Sequence, residues 1–309
     1  MSDLLILSLF FAVVTVVLVL DLGVFQKRAH FPTLREAAAW TAVWACLAFL
    51  FGVFIWFDRG SAKALEFFTG YIVEEALSVD NVFVFIVILT YFAVPRENHH
   101  TVLFWGVISA IIFRAAFIVA GSALISRFHW ILYLLGAFLI VTAVKLAVQS
   151  EAQVDPERNP FIRLARRFLP VSRGYLGKKF FVREGGRISM TPLFLVLLTI
   201  ETTDIAFATD SIPAIFAITR DAFIVFTSNI FAVLGLRSLY FLVSGVMGKF
   251  RLLKYGLSVV LAFIGAKMLL EPWWKIPIEA SLGVIFVILT ASVVASMLIP
   301  VRNEEGAVR

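Results

Sequence analysis

The chain is built from long, continuous apolar runs that are separated by short polar segments. Such runs predict helices, and their length argues against the strands of a membrane barrel. Nine runs are close to or longer than the roughly 20 residues that cross a bilayer. They cover 4–25, 36–57, 65–93, 102–124, 130–149, 191–218, 222–247, 254–271 and 276–299. The pattern predicts an all-α, polytopic membrane helical bundle with about nine transmembrane helices.

Composition agrees with this prediction and narrows the class. Of the 309 residues, 61% are hydrophobic and 16% are charged, whereas soluble domains carry about 25% charged residues. Soluble, disordered and disulfide-rich classes are therefore excluded, and 1–309 is interpreted as a single integral membrane domain. Cys46 is the only cysteine in the sequence, so neither an intramolecular disulfide nor a cysteine metal motif can form.

Basic residues are distributed unevenly between the two ends of the predicted spans. The ends that follow spans 1, 3, 5, 7 and 9 hold 18 lysines and arginines, and the opposite ends hold 5. Because these residues are enriched in cytoplasmic loops, the N-terminus is predicted outside and the C-terminus in the cytoplasm. Segment 150–190 then becomes a cytoplasmic loop. Its Arg163, Arg166 and Arg167 leave room for a short interfacial helix, although a plain positive-inside loop is the simpler interpretation.

Two predicted spans carry a similar acidic motif. In each, an acid is followed six residues later by an aspartate and then by a small polar residue. The motif residues are Glu74, Asp80 and Asn81 in span 3, and Asp204, Asp210 and Ser211 in span 6.

The spans that follow each motif extend this similarity. An arginine lies in the next span of each set, and a lysine in the one after; these residues are Arg114 and Lys145, then Arg237 and Lys267. Repeat 1 would cover 65–149 and repeat 2 would cover 191–271, with 150–190 between them. Because spans 3 and 6 run in opposite directions, the two would form an inverted repeat, which is typical of secondary transporters. Chance similarity between apolar helices is the alternative.

The charged residues inside the spans point to function, because each costs about 2.5–3.5 kcal/mol to insert. For the arginines and lysines, internal ion pairs or side chains that reach the interface are a sufficient explanation. The carboxylates outnumber these cations and are clustered, so a functional role is favoured for them. They are Glu74, Glu75, Asp80, Glu201, Asp204 and Asp210.

The donor atoms near these acids narrow the class of ligand. All four histidines fall in or beside loops, so zinc and copper sites are not expected. Carboxylates with hydroxyl and amide groups are hard oxygen donors, which suit magnesium, calcium or manganese. The neighbouring hydroxyl and amide residues are Ser78, Asn81, Thr202, Thr203 and Ser211.

Helical geometry limits which acids can share an ion. Glu74, Ser78 and Asn81 fall on one face of a helix, whereas Asp80 lies roughly 120° away. Glu201 and Asp204, three residues apart, could share an ion. Both motif spans are also longer than a bilayer needs, and Pro213 follows the second motif. We therefore expect both helices to be broken or kinked at the motifs, with two straight, tilted helices as the alternative.

These motifs resemble those of a known family. Segments 74–84, 201–214, 227–237 and 253–257 are similar to the signature segments of the TerC family, and the resemblance covers nearly the whole chain. It implies a bacterial inner-membrane exporter related to the lysine-exporter superfamily, with Mn²⁺ as the exported ion. The ligands it implies are Glu74, Asp80, Glu201, Asp204 and Asp210, with Asn81 and Ser211 in support. The role of Glu75 stays open, and pairing with an arginine is one option.

The resemblance leads to a transport hypothesis rather than an enzymatic one. We expect alternating access that moves Mn²⁺ outward and protons inward on the same carboxylates, because metal binding displaces protons. Other family members are linked to tellurite resistance or described as redox modulators. An exporter of an amino acid or of Mg²⁺ or Ca²⁺ is a further alternative. An aspartyl protease dyad of Asp80 and Asp210 is disfavoured, because the Gly-x-Gly-Asp motif is missing.

Overall fold

The computed structural model describes residues 3–26, 32–128, 130–148, 159–184, 187–246 and 252–298. In these residues the chain forms ten α-helices and one β-hairpin. The helices are α1 (Asp3–Gln26), α2 (Leu34–Arg59), α3 (Ser61–Tyr91), α4 (Arg96–Arg127), α5 (Ile131–Val148), α6 (Pro160–Phe168), α7 (Pro192–Phe216), α8 (Ala222–Val246), α9 (Leu253–Leu270) and α10 (Ile278–Leu298). The hairpin pairs β1 (Phe181–Glu184) with β2 (Arg187–Met190) in antiparallel register.

The helical, multi-pass fold is confirmed. A helix lies over each of the nine predicted runs. Among the described residues, seven helices are long and apolar enough to cross a membrane: α2, α4, α5, α7, α8, α9 and α10. The count of nine spans therefore stays a prediction, as does the inverted repeat.

The two motif helices are continuous, so the predicted break is wrong. Helix α3 is regular through 76–82, and α7 is regular through 206–212. Pro213 lies in the last turn of α7, which ends at Phe216. Proline has no N–H to donate to the carbonyl four residues back, that of Thr209, yet the helix continues unbroken through both residues. Side-chain hydroxyl groups of α7 donate hydrogen bonds to backbone carbonyls of the preceding turn. Thr203, for example, donates to the Thr199 carbonyl at 2.7 Å.

Helix α8 forms the centre of the bundle. It is buried along nearly its whole length, and α2, α3 and α4 pack around it. Helix α7 packs mainly against α4, and α5 packs along α9. The motif helix α3 therefore packs mainly on α8 and the motif helix α7 mainly on α4, and the two motif helices also contact each other.

Aromatic side chains join the first helices to this centre. Phe231 of α8 contacts Phe10 of α1 and Phe51 of α2, each at 5.3 Å between ring centroids. Phe51 also contacts Phe67 of α3 at 5.5 Å. Ring pairs at these distances add about 0.5–1.5 kcal/mol beyond the area that they bury. The many phenylalanines of the sequence therefore act here as packing residues.

Candidate functional site

The guanidinium of Arg114, on α4, lies at the centre of the site and is fully buried. It is ion-paired with Glu74 of α3. It also donates two hydrogen bonds to Asp204 of α7, from Nη2 to Oδ1 at 3.1 Å and from Nε to Oδ2 at 3.4 Å. Its Nη1 also donates to Asn229 Oδ1 of α8 at 3.3 Å and to Ser211 Oγ of α7 at 3.5 Å. One cation thus joins two carboxylates and four helices.

Sequence spacing explains how α3 contributes to this centre. Glu74, Ser78 and Asn81 are all buried, which confirms the predicted common face. Asp80 is only half-buried, because it lies on a different face of the same helix. On α7 the buried pair is Asp204 and Ser211, seven residues apart and thus nearly two full turns along one face.

Several polar atoms of α3 and α8 are buried without a hydrogen-bond partner among the described residues. They are Glu74 Oε2, Ser78 Oγ, Asn81 Nδ2 and Asn229 Nδ2. Leaving such a group unpaired costs about 1–3 kcal/mol, and more for a charged group. Glu74 and Asn229 therefore keep unpaired polar atoms at Arg114, and Ser78 and Asn81 keep theirs on the same buried face of α3 as Glu74.

Glu201 contacts α4 one turn away from this centre. Its carboxylate accepts a hydrogen bond from the hydroxyl of Ser109, which precedes Arg114 on α4 by five residues. Its second oxygen, Oε2, is buried without a partner among the described residues. Glu201 and Asp204 therefore both face α4, as their spacing predicts, but each has its own partner there.

The second acids of the two motifs lie outside the Arg114 cluster. Asp210 accepts a hydrogen bond from Thr142 of α5 at 3.1 Å, and the charge of Lys145 acts on it. Asp80 is subject in the same way to the charge of Lys254, at the start of α9. Both aspartates are half-buried. Each motif therefore divides into one acid at the cluster and one acid near a lysine of the α5–α9 pair.

The remaining candidate cations lie outside the Arg114 cluster. Arg237 donates from Nη1 to His100 Nε2 at 3.2 Å. Lys267 donates to Ser281 of α10 at 2.9 Å, and Lys145 is exposed. Glu75 is half-buried beside Gly235 and forms no ion pair with an arginine in the part of the chain that the structure describes.

Three polar residues of the site are not among the candidates from the sequence: Ser109, Thr142 and Asn229. Each is an uncharged polar residue inside an otherwise apolar helix, and each contacts Arg114 or one of the candidate acids, Glu201 and Asp210. The signal for them in the sequence is a hydroxyl or amide residue inside an apolar span, which is weaker than the signal of an ionisable residue. The position of His100 beside Arg237 was also not foreseen.

The conformation does not gather the predicted ligands around one point. Among the described residues, no group of three or more His, Cys, Asp or Glu side chains is arranged to hold a metal ion. A cavity beside Asp204, lined by residues such as Phe85 and Gly106, has a volume of about 10 Å³. Such a space holds about one water molecule.

Comparison with known proteins identifies the family. The profile of the integral membrane protein TerC family matches residues 59–304, which is most of the chain. The chain belongs to the TerC family. Both acidic motifs and the Arg114 cluster lie inside the matched region, so the site is built entirely from TerC residues.

Named relatives cover the TerC chain almost completely. An uncharacterized membrane protein of Myxococcus xanthus, STKORF319, is 50% identical over 289 residues, covering 94% of this chain and 91% of the relative. A protein of Escherichia coli strain K12 with the provisional name membrane-bound redox modulator Alx is 45% identical over 305 residues, covering 96% and 95%. An uncharacterized membrane protein of Rickettsia bellii is 38% identical over 290 residues, covering 94% and 96%. No solved structure matches the chain.

Proposed function

We propose that the chain exports Mn²⁺ across the bacterial cytoplasmic membrane by secondary active transport. The observation that carries this proposal is that Glu74 and Asp204, at matching positions of the two motifs, meet on one cation, Arg114. A bundle that buries two carboxylates from different helices around a positive charge has a place for cations near its centre. Carboxylate, hydroxyl and amide oxygens suit hard cations, and the TerC resemblance favours manganese among them.

The charge balance of the cluster suggests how cargo is exchanged. Two buried carboxylates without a cation would be strongly destabilising, because charges in a low-dielectric interior need partners. Arg114 supplies that partner in the conformation described above. We infer that a divalent cation binds when Arg114 leaves at least one of the two acids, so that guanidinium and cargo alternate at the same carboxylates.

The packing of the helices supports the proposed repeat. Helix α3 packs against α8, and α7, its counterpart in the second repeat, packs against α4, the counterpart of α8. Helix α5 packs against its own counterpart, α9. These are the contacts that a pseudo-two-fold axis would produce if α3–α5 and α7–α9 were equivalent. We propose nine spans with an inverted repeat, an outside N-terminus and a cytoplasmic C-terminus, in line with the distribution of basic residues.

In this orientation, the ends of α3, α7 and α9 nearest the exterior enclose a polar cleft of about 300 Å³. Lys63 is ion-paired there with Glu66 at 2.7 Å and with Asp221 at 3.5 Å. Thr219 donates a hydrogen bond to Glu66, which ties the loop after α7 to the start of α3. We propose that these contacts close the outer side of the pathway and separate when cargo is released.

Outward movement of a divalent cation needs an energy source. Against 100 mV, inside negative, it costs about 4.6 kcal/mol, twice the 2.3 kcal/mol for a single charge. We propose that Glu201, Asp80 and Asp210, which lie outside the ion-paired centre, bind Mn²⁺ on its way outward and protons on their way inward. The test uses proteoliposomes loaded with Mn²⁺ under an imposed pH gradient. A manganese flux that ignores the gradient would refute proton coupling, and no flux with any gradient would refute export.

Two other functions have less support. An amino-acid exporter needs a side-chain pocket, and the cavity beside Asp204 has room for about one water molecule.

A redox modulator, as the Alx relatives are provisionally named, would need redox chemistry. Cys46 is the only thiol of the sequence, so no dithiol reaction can occur within one chain. Transport assays with Mg²⁺ and Ca²⁺ beside Mn²⁺ test selectivity among hard cations.

A further inference from the structure

Helix α6 has three faces of different chemistry. One face packs on the protein: Ile162 is 1% exposed and forms an apolar cluster with Met190 and Leu195. A second face carries three exposed arginines, Arg163, Arg166 and Arg167. The third face carries large apolar side chains that are also exposed, Phe161 at 54%, Leu164 at 51% and Phe168 at 74%. Residues three, four and seven apart share a helix face, so each set forms one stripe.

The position of α6 places it at a membrane boundary. The cluster that buries Ile162 also includes Phe92, the residue directly after the last residue of α3. Tyr175, in the loop between α6 and β1, donates a hydrogen bond to the Phe92 carbonyl at 2.7 Å. Helix α6 therefore lies at the level where α3 leaves the bilayer, next to the first half of α7.

We propose that α6 docks on anionic phospholipids of the leaflet on its own side, which is the cytoplasmic leaflet in the proposed orientation. Phe161, Leu164 and Phe168 enter the boundary of the acyl chains, and the three arginines lie among the phosphates. A helix with an apolar stripe and a basic stripe at an interface has this charge complementarity to an anionic surface. Each arginine contributes roughly a five-fold preference for such a surface. This proposal does not depend on the identity of the cargo.

A hydrogen bond fixes the docked helix to α7. Asn159, which caps the start of α6, accepts from the backbone of Phe161 at 2.9 Å. Its Nδ2 donates to the hydroxyl of Thr202 at 2.7 Å. Thr202 lies between Glu201 and Asp204, so the proposed lipid contact is held directly against the turn of α7 that carries these two candidate acids.

The experiment uses the full chain with Cys46→Ser and a single new cysteine, Phe168→Cys, labelled with an environment-sensitive fluorophore. The protein is reconstituted in vesicles of phosphatidylcholine with 30% phosphatidylglycerol, one of the two lipids being brominated in turn. We expect brominated phosphatidylglycerol to quench the label much more strongly, at equal mole fraction, than brominated phosphatidylcholine. Changing the three arginines to glutamine should remove this preference, and changing them to lysine should keep most of it.

A second triple variant serves as the matched control. Lys178→Gln, Arg183→Gln and Arg187→Gln remove the same charge from exposed positions of the neighbouring loop and hairpin. This variant should keep the lipid preference. Equal quenching by both lipids in the unaltered helix would overturn the proposal. So would an equal loss in both glutamine triples, because the effect would then come from loop charge in general and not from α6.

Discussion

Gly136 of α5 and Gly265 of α9 face each other where their helices cross. A Cβ atom added to Gly265 would lie 2.7 Å from the carbonyl oxygen of Gly136, and one added to Gly136 would lie 3.1 Å from the carbonyl oxygen of Gly265. Small residues at such crossings let two backbones approach closely inside a membrane. The contact is reciprocal, as expected if α5 and α9 are equivalent helices of the two proposed repeats.

Gly265→Ala should therefore destabilise the protein. The added carbon meets backbone atoms, which cannot rotate away, so α5 and α9 must separate. Overpacking of this kind costs about 1–3 kcal/mol. A lower melting temperature in detergent checks the prediction. The control is Gly283→Ala on α10, where an added Cβ has no neighbour within 4 Å. If both variants melted alike, the crossing would not be tightly packed.

Arg114→Gln should cost about 3–5 kcal/mol of stability, because it leaves Glu74 and Asp204 buried without a cation. Added Mn²⁺ should raise the melting temperature of this variant more than that of the unaltered protein, since the cargo can then take the place of the guanidinium. Thermal unfolding with and without Mn²⁺ measures both effects.

The control for this variant is Arg220→Gln. Arg220 pairs with Glu271 at 2.8 Å, but both side chains are exposed, so the loss should lie between about 0 and 1 kcal/mol. Adding Glu74→Gln to the Arg114 variant should restore part of its stability. A variant that is destabilised but indifferent to Mn²⁺ would contradict the exchange of guanidinium and cargo.

The sequence was informative where a property depends on spacing along one helix. The helices, the buried face shared by Glu74, Ser78 and Asn81, and the different exposure of Asp80 all follow from helical periodicity. The break expected near Pro213 is wrong, because the loss of one backbone bond does not interrupt a helix that is packed against α4. The pairing of Arg114 with Glu74 and Asp204 joins residues 40 and 90 positions apart. Such pairs depend on how helices pack, which spacing within one helix does not encode.

Asp80→Asn and Asp210→Asn should each abolish protection of cells from excess manganese while the protein is still inserted in the membrane. Both acids are half-buried, and neither belongs to the ion-paired cluster, so their loss leaves Arg114 and its partners in place. Growth in manganese and the amount of protein in the membrane are the measurements. Glu279→Gln, an exposed acid at the start of α10, is the control and should protect normally. Full protection by either aspartate variant would exclude that residue from the pathway.

Thr142→Val should weaken manganese transport without abolishing it. The hydroxyl donates to Asp210 at 3.1 Å, and valine keeps the shape but removes the donor. Partners that orient a metal ligand typically contribute about 10- to 100-fold in affinity. The concentration of Mn²⁺ that gives half-maximal flux in proteoliposomes should rise accordingly. Ser126→Ala, which removes an exposed hydroxyl that donates to the Ala123 carbonyl of its own helix, should leave this concentration unchanged.

Asn159→Asp should separate the two roles of Asn159. Aspartate still caps α6, but it cannot donate to Thr202. The expected cost is about 1 kcal/mol, the usual value of one hydrogen bond, and it should disappear when Thr202 is changed to valine. A double-mutant cycle on thermal stability measures this coupling. Equal costs in both backgrounds would show that the bond contributes nothing to stability.

The central position of α8 has a consequence for how the protein is made. This helix carries Asn229 and Arg237 in a span that protein surrounds on nearly every side. Membrane insertion of a lone helix with these residues is unfavourable. Their partners, Arg114 and His100, lie on α4, which is synthesised earlier and can already be in the bilayer. We expect α8 to insert poorly when produced alone and efficiently after residues 1–221, so that biogenesis of this helix depends on chain order.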